Sequence, residues 1–105
     1  MNSQELANKI KDLLDSKKAI NLEVIDISEK STLADYFVLA TGTSSTHVKA
    51  LADEVEAKLE EEKIFPLNYE GRLSNSWIAL DYKDVIVHIF SEEARKLYSL
   101  EKIWR

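Results

Sequence analysis

A single glycine followed by four hydroxyl residues is the stretch of this sequence with the clearest chemical potential. Gly42 and the run Thr43–Thr46 lie between an apolar segment that predicts a strand and a run that predicts an amphipathic helix. Such a turn can bind phosphate, because free N–H groups and the helix dipole both favour an anion at a helix N-terminus. It can equally be an ordinary connection in which a hydroxyl caps the helix. The first interpretation predicts a nucleotide-binding or nucleotidyltransferase-like enzyme, and the second predicts a scaffold.

The residues around this turn give the enzyme interpretation little support. A Walker loop has a second glycine and a lysine in fixed register, which this segment lacks. A nucleotidyltransferase needs close carboxylates to hold Mg²⁺, but the first acid after Gly42 is Asp53, about three turns into the helix. His47 falls in the first helical turn and is a candidate acid–base group, although a lone histidine is more often a surface residue. We therefore expect no catalytic, cofactor-binding or metal-binding residues and keep the nucleotide-binding enzyme as the alternative.

A predicted β-hairpin over residues 76–82 and 85–90 carries the second group of candidate residues. Its two-residue turn is placed at Tyr82-Lys83, and alternation along each strand then sorts the side chains onto two faces. The aliphatic face predicts a helix-covered core: Ile78, Leu80, Val85, Val87 and Ile89. The mixed face contains Trp77, Ala79, Ile86, His88 and Phe90, with Asp81 and Asp84 at its rim. A face that combines tryptophan, histidine and acids is more typical of a protein interface than of a core.

The same register sets Asp81 opposite Asp84 and Trp77 opposite His88. Two ionised aspartates in close contact would repel each other, and a basic group on a partner would relieve that repulsion. In a second interpretation, Trp77 and His88 form a cross-strand pair buried beneath a loop or the C-terminal segment. A metal site built from both aspartates and His88 is disfavoured, because His88 lies about four residues, roughly 13 Å, further along the strand.

Composition limits the class of protein and of partner. The 105 residues are 45% hydrophobic and 31% charged, with two glycines, one proline and no cysteine. This predicts one globular domain over residues 1–105 without disulfides or thiolate metal sites. The net charge of -5, with basic residues scattered among acids, disfavours direct nucleic-acid binding and favours a basic protein partner. Because no segment resembles a targeting signal or approaches the ~18 apolar residues of a membrane span, we expect a soluble, cytoplasmic protein.

The remaining patterns predict the elements that must position these residues. Asn2 and Glu5 resemble a capping box that opens a helix over residues 3–17. The other predicted elements are strands at 21–27 and 36–40, a helix that begins after Ser44 or Ser45 and stops before Pro66, a short strand at 67–70, the hairpin, and a final helix from Ser91 that docks through Leu97, Leu100, Ile103 and Trp104. The order α-β-β-α-β-β-β-α predicts an α/β (α+β) protein, with a small mixed β-sheet of about five strands and helices mainly on one face.

Several longer motifs follow one another over nearly the whole chain: Ala34-Asp35-Tyr36-Phe37, Ala40-Thr41-Gly42-Thr43-Ser44-Ser45, Ala50-Leu51-Ala52-Asp53-Glu54-Val55, Glu70-Gly71, Trp77-Ile78-Ala79-Leu80-Asp81-Tyr82, Asp84-Val85-Ile86-Val87-His88-Ile89-Phe90, Ala94-Arg95, Tyr98 and Leu100-Glu101-Lys102-Ile103-Trp104. In this combination they resemble the ribosomal silencing factor family (RsfS, also called Iojap). Lys83 departs from the family pattern, which commonly has glycine at the hairpin turn. A type I′ turn needs positive φ, so lysine there costs on the order of 1 kcal/mol or selects another turn type.

The resemblance implies a non-enzymatic protein of nucleotidyltransferase-like topology that lacks the catalytic acids and needs no cofactor. It implies binding to the large ribosomal subunit through its ribosomal protein number fourteen, on the surface that meets the small subunit. Occupying that surface would block subunit joining and repress translation under nutrient limitation. The resemblance also implies a homodimer when the protein is free, and little or no direct contact with nucleic acid.

The family's binding surface maps onto the hairpin motif and the nearby Glu70. The partner-binding residues expected from this mapping are Glu70, Trp77, Asp81, Tyr82, Asp84 and His88. We expect Trp77 to be the buried anchor and the three acids to pair with lysine or arginine of the ribosomal protein. His88 would pack beside Trp77 and donate or accept a hydrogen bond.

Overall fold

Five strands form one mixed sheet in the computed structural model of this chain, which describes residues 1–74 and 76–104. The elements in chain order are α1 (Ser3–Ser16), β1 (Ile20–Asp26), β2 (Tyr36–Gly42), α2 (Ser45–Glu60), β3 (Asn68–Glu70), β4 (Trp77–Asp81), β5 (Val85–Ser91), α3 (Glu92–Tyr98) and α4 (Leu100–Trp104). They confirm the predicted fold class and element order, except that the final helix is divided in two. Within the described residues, no helix is both long enough and apolar enough to cross a membrane.

Both long helices begin where the sequence predicts, each with a side-chain cap. At α1, Asn2 Oδ1 accepts a hydrogen bond from Glu5 N at 2.8 Å, and Glu5 Oε1 accepts one from Asn2 N at 3.0 Å. The predicted capping box is therefore present. At α2, the cap is Ser44, whose Oγ accepts a hydrogen bond from His47 N at 3.1 Å. The caps satisfy N–H groups that the first turn of a helix leaves without partners.

The strands lie in the order β1-β2-β5-β4-β3, with β2 and β5 parallel and the other pairs antiparallel. Strand β2 is buried from Phe37 to Gly42, as expected for a parallel strand that is covered on both faces. The parallel pairing sets Leu39 opposite His88. Because these residues are distant in sequence, only the tertiary fold brings them together.

The two faces of the sheet carry separate cores. Helices α1 and α2 cover the face that the hairpin sequence predicts to be aliphatic, and its five residues are fully buried there: Ile78, Leu80, Val85, Val87 and Ile89. On the opposite face, called the outer face below, a smaller core contains Ile25, Ile27, Ala34, Phe37, Leu39, Phe90 and Ala94. The short helices α3 and α4 lie on this outer face, so the long helices share one face, as predicted.

The predicted register of the hairpin is wrong by two residues. Asp81 pairs with Ile86, so the turn is Lys83-Asp84 and not Tyr82-Lys83. Asp84 N donates to the carbonyl oxygen of Tyr82 at 3.0 Å, across Lys83 at a φ of 74°. Such a three-residue γ-turn needs a left-handed central residue. A shift of two residues preserves the alternation of side chains, and for that reason the predicted composition of the two faces is correct.

The C-terminal segment docks through only half of the predicted residues. Leu100 and Trp104 pack against the smaller core, but Leu97 and Ile103 are 76% and 67% exposed. The predicted docking of these two is wrong. Ser99, with a φ of 47°, separates α3 from α4 and interrupts the helical periodicity on which the prediction depended.

Candidate protein-binding surface

An open pocket on the outer face brings together three residues that the sequence predicts to bind a partner. Glu70 pairs with Ala79, and Ala79 pairs with His88, so these residues lie side by side across β3, β4 and β5 with their side chains on one face. Trp77 precedes Ala79 by two residues and shares that face. Together with Gly71 they line a cavity of about 320 Å³, called the Trp77 pocket below.

Trp77 and His88 are joined by a hydrogen bond between their side chains. The indole Nε1–H donates to His88 Nδ1 at 3.0 Å, diagonally across the hairpin, because Trp77 lies opposite Phe90. An accepting Nδ1 places the imidazole proton on Nε2. Phe37 meets the His88 ring edge-on at 4.9 Å between centroids. The predicted contact between Trp77 and His88 is therefore present, with both side chains half-buried.

Burial lowers the pKa of His88 to about 4, because an imidazolium would lose its hydration in this aromatic environment. The ring is thus neutral at neutral pH and can accept the indole hydrogen bond. Protonation of Nδ1 would remove that acceptor. His88 therefore orients Trp77 and does not supply a positive charge to the surface.

The loop beside the Trp77 pocket depends on Gly71. Its φ is +81°, and a Cβ there would lie 2.3 Å from the carbonyl oxygen of Trp77, so only glycine fits without displacing β4. The next residue, Arg72, stacks on Tyr69 with Cζ 3.7 Å from the ring centroid. Its Nη2 also donates to Glu56 Oε2 at 3.1 Å. These contacts fasten the loop to the side of α2.

The predicted acids lie at different places along the surface. Glu70 lines the Trp77 pocket, and its Oε1 accepts a hydrogen bond from Asn68 Nδ2 at 3.0 Å. Asp81 shares the outer face, and its Oδ1 accepts from Lys83 N at 2.8 Å. Asp84 is exposed in the turn, and Asp81 pairs with Ile86, so the prediction that the two aspartates face each other is wrong. Among residues 1–74 and 76–104, no group of three or more His, Asp or Glu side chains could hold a metal ion.

Tyr82 lies apart from the other predicted residues. It is 6% exposed and packs in the core beneath α1 and α2. Burial raises the pKa of its phenol above the usual range. The hairpin alternation assigns Tyr82 to the covered face, so a partner cannot reach its ring in this fold, and we omit it from the contact surface.

The Gly42 turn uses its polar groups within the chain. Thr43 N donates to His47 Nδ1 at 2.9 Å, and His47 Nε2 donates to the carbonyl oxygen of Lys17 at 2.8 Å. These two partners assign the tautomer. A Cβ on Gly42 would lie 2.8 Å from Val48 N, so the glycine permits the close approach of α2. His47 thus connects the turn to the end of α1, a structural role that the sequence did not reveal.

The recess beside this turn is acidic. Glu92 and Glu93 line it together with Gly42, Thr43, Ser44, Ser45, Ser76 and Ser91. Carboxylates repel a phosphate unless a cation lies between them, and the described residues offer no cluster that could hold one. The geometry favours the scaffold interpretation of the Gly42 turn over the nucleotide-binding one.

Two aromatic neighbours of the Trp77 pocket were not predicted as part of it. Phe37 reaches His88 through the pairing of β2 with β5, and Tyr98 of α3 lies 4.5 Å from Trp77 between ring centroids. No local spacing connects either residue with the hairpin. Both residues stand in the motifs that carry the family resemblance, but nothing in those motifs indicated that they contact the hairpin.

Comparison with known proteins assigns the family. Residues 1–105 match the family model described as "RsfS: Ribosomal silencing factor during starvation". The Ribosomal silencing factor RsfS of Zymomonas mobilis is 34% identical over 99 residues, which are 94% of this chain and 74% of the relative. The mouse Mitochondrial assembly of ribosomal large subunit protein 1 is 30% identical over 95 residues, covering 88% of this chain and 42% of the relative. A crystal structure from Chromobacterium violaceum matches with a TM-score of 0.95 and 33% identity, covering 99% of this chain and 87% of the other. The chain therefore belongs to the ribosomal silencing factor family, whose members regulate translation in association with the ribosome.

Proposed function

We propose that this protein binds the large ribosomal subunit through its ribosomal protein number fourteen, using the Trp77 pocket and its acidic border. By covering part of the surface that meets the small subunit, the bound protein blocks subunit joining and lowers translation when nutrients are scarce. The observation that carries the proposal is the partly exposed Trp77, hydrogen-bonded to His88 beside Glu70.

The fixed orientation and the satisfied N–H group of the Trp77 indole suit an interface anchor. Because His88 holds the indole in one orientation, little side-chain entropy is lost when a partner covers the ring. The indole N–H already has its acceptor, so an apolar group can cover the ring without leaving an unpaired donor. Buried tryptophans in such positions carry a large share of binding energy in protein interfaces.

The acids around the pocket suit a basic partner. A lysine or arginine can lay its aliphatic stem on Trp77 and pair its charged end with Glu70. Asp81 and Asp84 lie further along the hairpin and can contribute to the attraction. The net charge of -5 favours approach to a basic protein over approach to ribosomal RNA phosphates.

The proposal also covers the choice of ribosomal subunit, the location of the protein and its oligomeric state. The name of the mouse relative refers to the large ribosomal subunit, which supports the choice of subunit. We place the protein in the cytoplasm with the ribosomes. We also propose a homodimer when the protein is free, because the partly exposed Trp77 and the exposed Tyr98 are then available to a second copy. Sedimentation equilibrium tests the last point, and a monomer throughout the range used for ribosome binding would contradict it.

Co-sedimentation with isolated large subunits tests the proposal. We expect the wild-type protein to pellet with the subunits at low salt, and less so as salt screens the charged contacts. Trp77→Ala should weaken binding by about 2 kcal/mol, roughly thirtyfold. Leu33→Ala is a matched control, because Leu33 is 78% exposed in the loop between β1 and β2.

Each outcome addresses a separate part of the proposal. A folded wild-type protein that remains in the supernatant overturns it, whereas normal binding by a folded Trp77→Ala variant overturns the placement of the surface. Titration with purified ribosomal protein number fourteen tests the partner, and retained subunit binding without this interaction would reassign it. Sucrose gradients test the steric mechanism, which fails if small subunits join while the protein stays bound.

A further inference from the structure

The aromatic surface around Trp77 continues onto a part of the chain outside the sheet. The ring centroids of Trp77 and Tyr98 are 4.5 Å apart at an interplanar angle of 47°. Tyr98 is the last residue of α3 and is 44% exposed. A partner that covers Trp77 therefore approaches a second accessible ring, supplied by a different segment.

A buried arginine holds α3 in place. Arg95 is only 5% exposed; its Nη1 donates to Thr41 Oγ1 at 3.0 Å, and its Nε donates to Glu101 Oε2 at 2.9 Å. Thr41 is fully buried near the end of β2, and Glu101 belongs to α4. Because a buried charge is costly unless it is paired and hydrogen-bonded, these contacts fix both C-terminal helices to the end of the sheet.

We infer that Tyr98 extends the partner-binding surface and that Arg95 is the positioning residue that keeps Tyr98 beside Trp77. This inference rests on the proposed function above and concerns the same basic protein partner. The group that Tyr98 suits is an arginine side chain, because a guanidinium plane stacks on an aromatic ring while its stem contacts the neighbouring indole. The surface is then divided between the hairpin and α3, and Arg95 stabilises the second half without touching the partner.

Variants on one helix test the role of Tyr98. Tyr98→Ala should weaken binding to isolated large subunits at least tenfold, whereas Tyr98→Phe keeps the ring and should bind within threefold of wild type. Leu97→Ala is the matched control, because Leu97 precedes Tyr98 and is 76% exposed. Alanine is the best helix former, so neither alanine variant should prevent α3 from folding. Wild-type affinity in a folded Tyr98→Ala variant overturns the assignment of Tyr98 to the surface.

Substitutions at Thr41 test the positioning role, since a variant of buried Arg95 can fail to fold. Thr41→Val removes the hydroxyl that accepts from Arg95, and Thr41→Ser retains it. The readout is the NMR resonance of the Trp77 indole N–H, assigned with Trp77→Phe and recorded well below the melting temperature. We expect Thr41→Val to shift this resonance and weaken subunit binding about threefold, and Thr41→Ser to do neither. If Thr41→Val lowers only the melting temperature, the role of Arg95 is structural and the positioning claim is wrong.

The same measurements separate this inference from the function on which it rests. If wild type does not bind large subunits, both fail. If wild type binds, Trp77→Ala does not, and Tyr98→Ala binds normally, only the extension to α3 fails.

Discussion

His47 and His88 both accept a hydrogen bond at Nδ1, but their partners differ. His47 joins two backbone segments, whereas His88 orients the side chain of Trp77 at the surface. His47 bonds two backbone groups, Thr43 N and the carbonyl oxygen of Lys17, and so connects the Gly42 turn to the end of α1. His88 bonds the indole of Trp77, which remains partly exposed beside an open pocket. A histidine near a glycine is thus not by itself a sign of a catalytic or binding site. The informative feature is whether its partner is backbone or an accessible side chain.

Replacing Gly71 beside the Trp77 pocket, or Gly42 in the turn before α2, should have the largest effects on stability at neutral pH. We expect Gly71→Ala to lower the free energy of unfolding by about 3 kcal/mol, because the added Cβ meets the Trp77 carbonyl oxygen in a left-handed backbone. It should also weaken binding to large subunits. Gly42→Ala should cost about 2 kcal/mol through its contact with Val48 and leave the affinity of the folded protein unchanged. Urea unfolding and co-sedimentation measure the two effects, and equal losses of affinity would abolish the distinction between the regions.

Acid should destabilise the protein through His88. The unfolded state binds a proton near the ordinary pKa of 6.5, but burial lowers the folded pKa to about 4. The unfolded state therefore holds more protons between these values, and stability present above pH 6.5 is lost as the pH falls towards 4, by about 3 kcal/mol. His88→Asn keeps an acceptor near the position of Nδ1 and cannot titrate. Urea unfolding at several pH values should show a smaller loss for this variant, and an identical pH dependence would show that His88 is not responsible.

His47→Ala should separate stability from binding. Removing the ring leaves Thr43 N and the Lys17 carbonyl without their side-chain partner, but water can replace it at this exposed turn, so we expect a loss of about 1 kcal/mol. Affinity for large subunits should stay within twofold of wild type. Reduced affinity in a folded His47→Ala protein would place the Gly42 turn in the binding surface. His88→Leu is the opposite control, because it removes the acceptor of Trp77 and should weaken binding.

Lys83→Gly should have the smallest effect and the opposite sign. Lys83 has a φ of 74°, which glycine adopts without the steric cost that a side chain incurs. We expect thermal unfolding to show a stabilisation of about 0.5–1 kcal/mol, since the gain is partly offset by the greater freedom of glycine in the unfolded chain. A lower melting temperature would mean that the lysine side chain makes a stabilising contact that outweighs its backbone strain.

Local rules predicted the helix caps and both faces of the hairpin. Asn2 and Ser44 cap their helices because the bonds involved span only a few residues. The hairpin faces were also correct, because alternation survives a shift of two residues. The turn was misplaced because Tyr82 still pairs with β5, its N donating to the carbonyl oxygen of Val85 at 2.9 Å, and no local signal indicated this last pair. Tyr82 was assigned to the surface by family resemblance, although the same alternation places it on the covered face.

The helices and strands, the two faces of the hairpin and, through its motifs, the family can all be predicted from the order of the residues alone. These properties depend on periodicity and on short-range hydrogen bonds, which are written into consecutive residues. The groups that surround Trp77, in contrast, depend on how distant segments pack together. The parallel pairing of β2 with β5 brings Phe37 to His88, and the buried Arg95 holds Tyr98 against the indole. Such contacts form because distant segments together bury apolar surface and supply the partners of a buried charge. No single segment contains both the buried group and its partners, so local patterns cannot predict the contact.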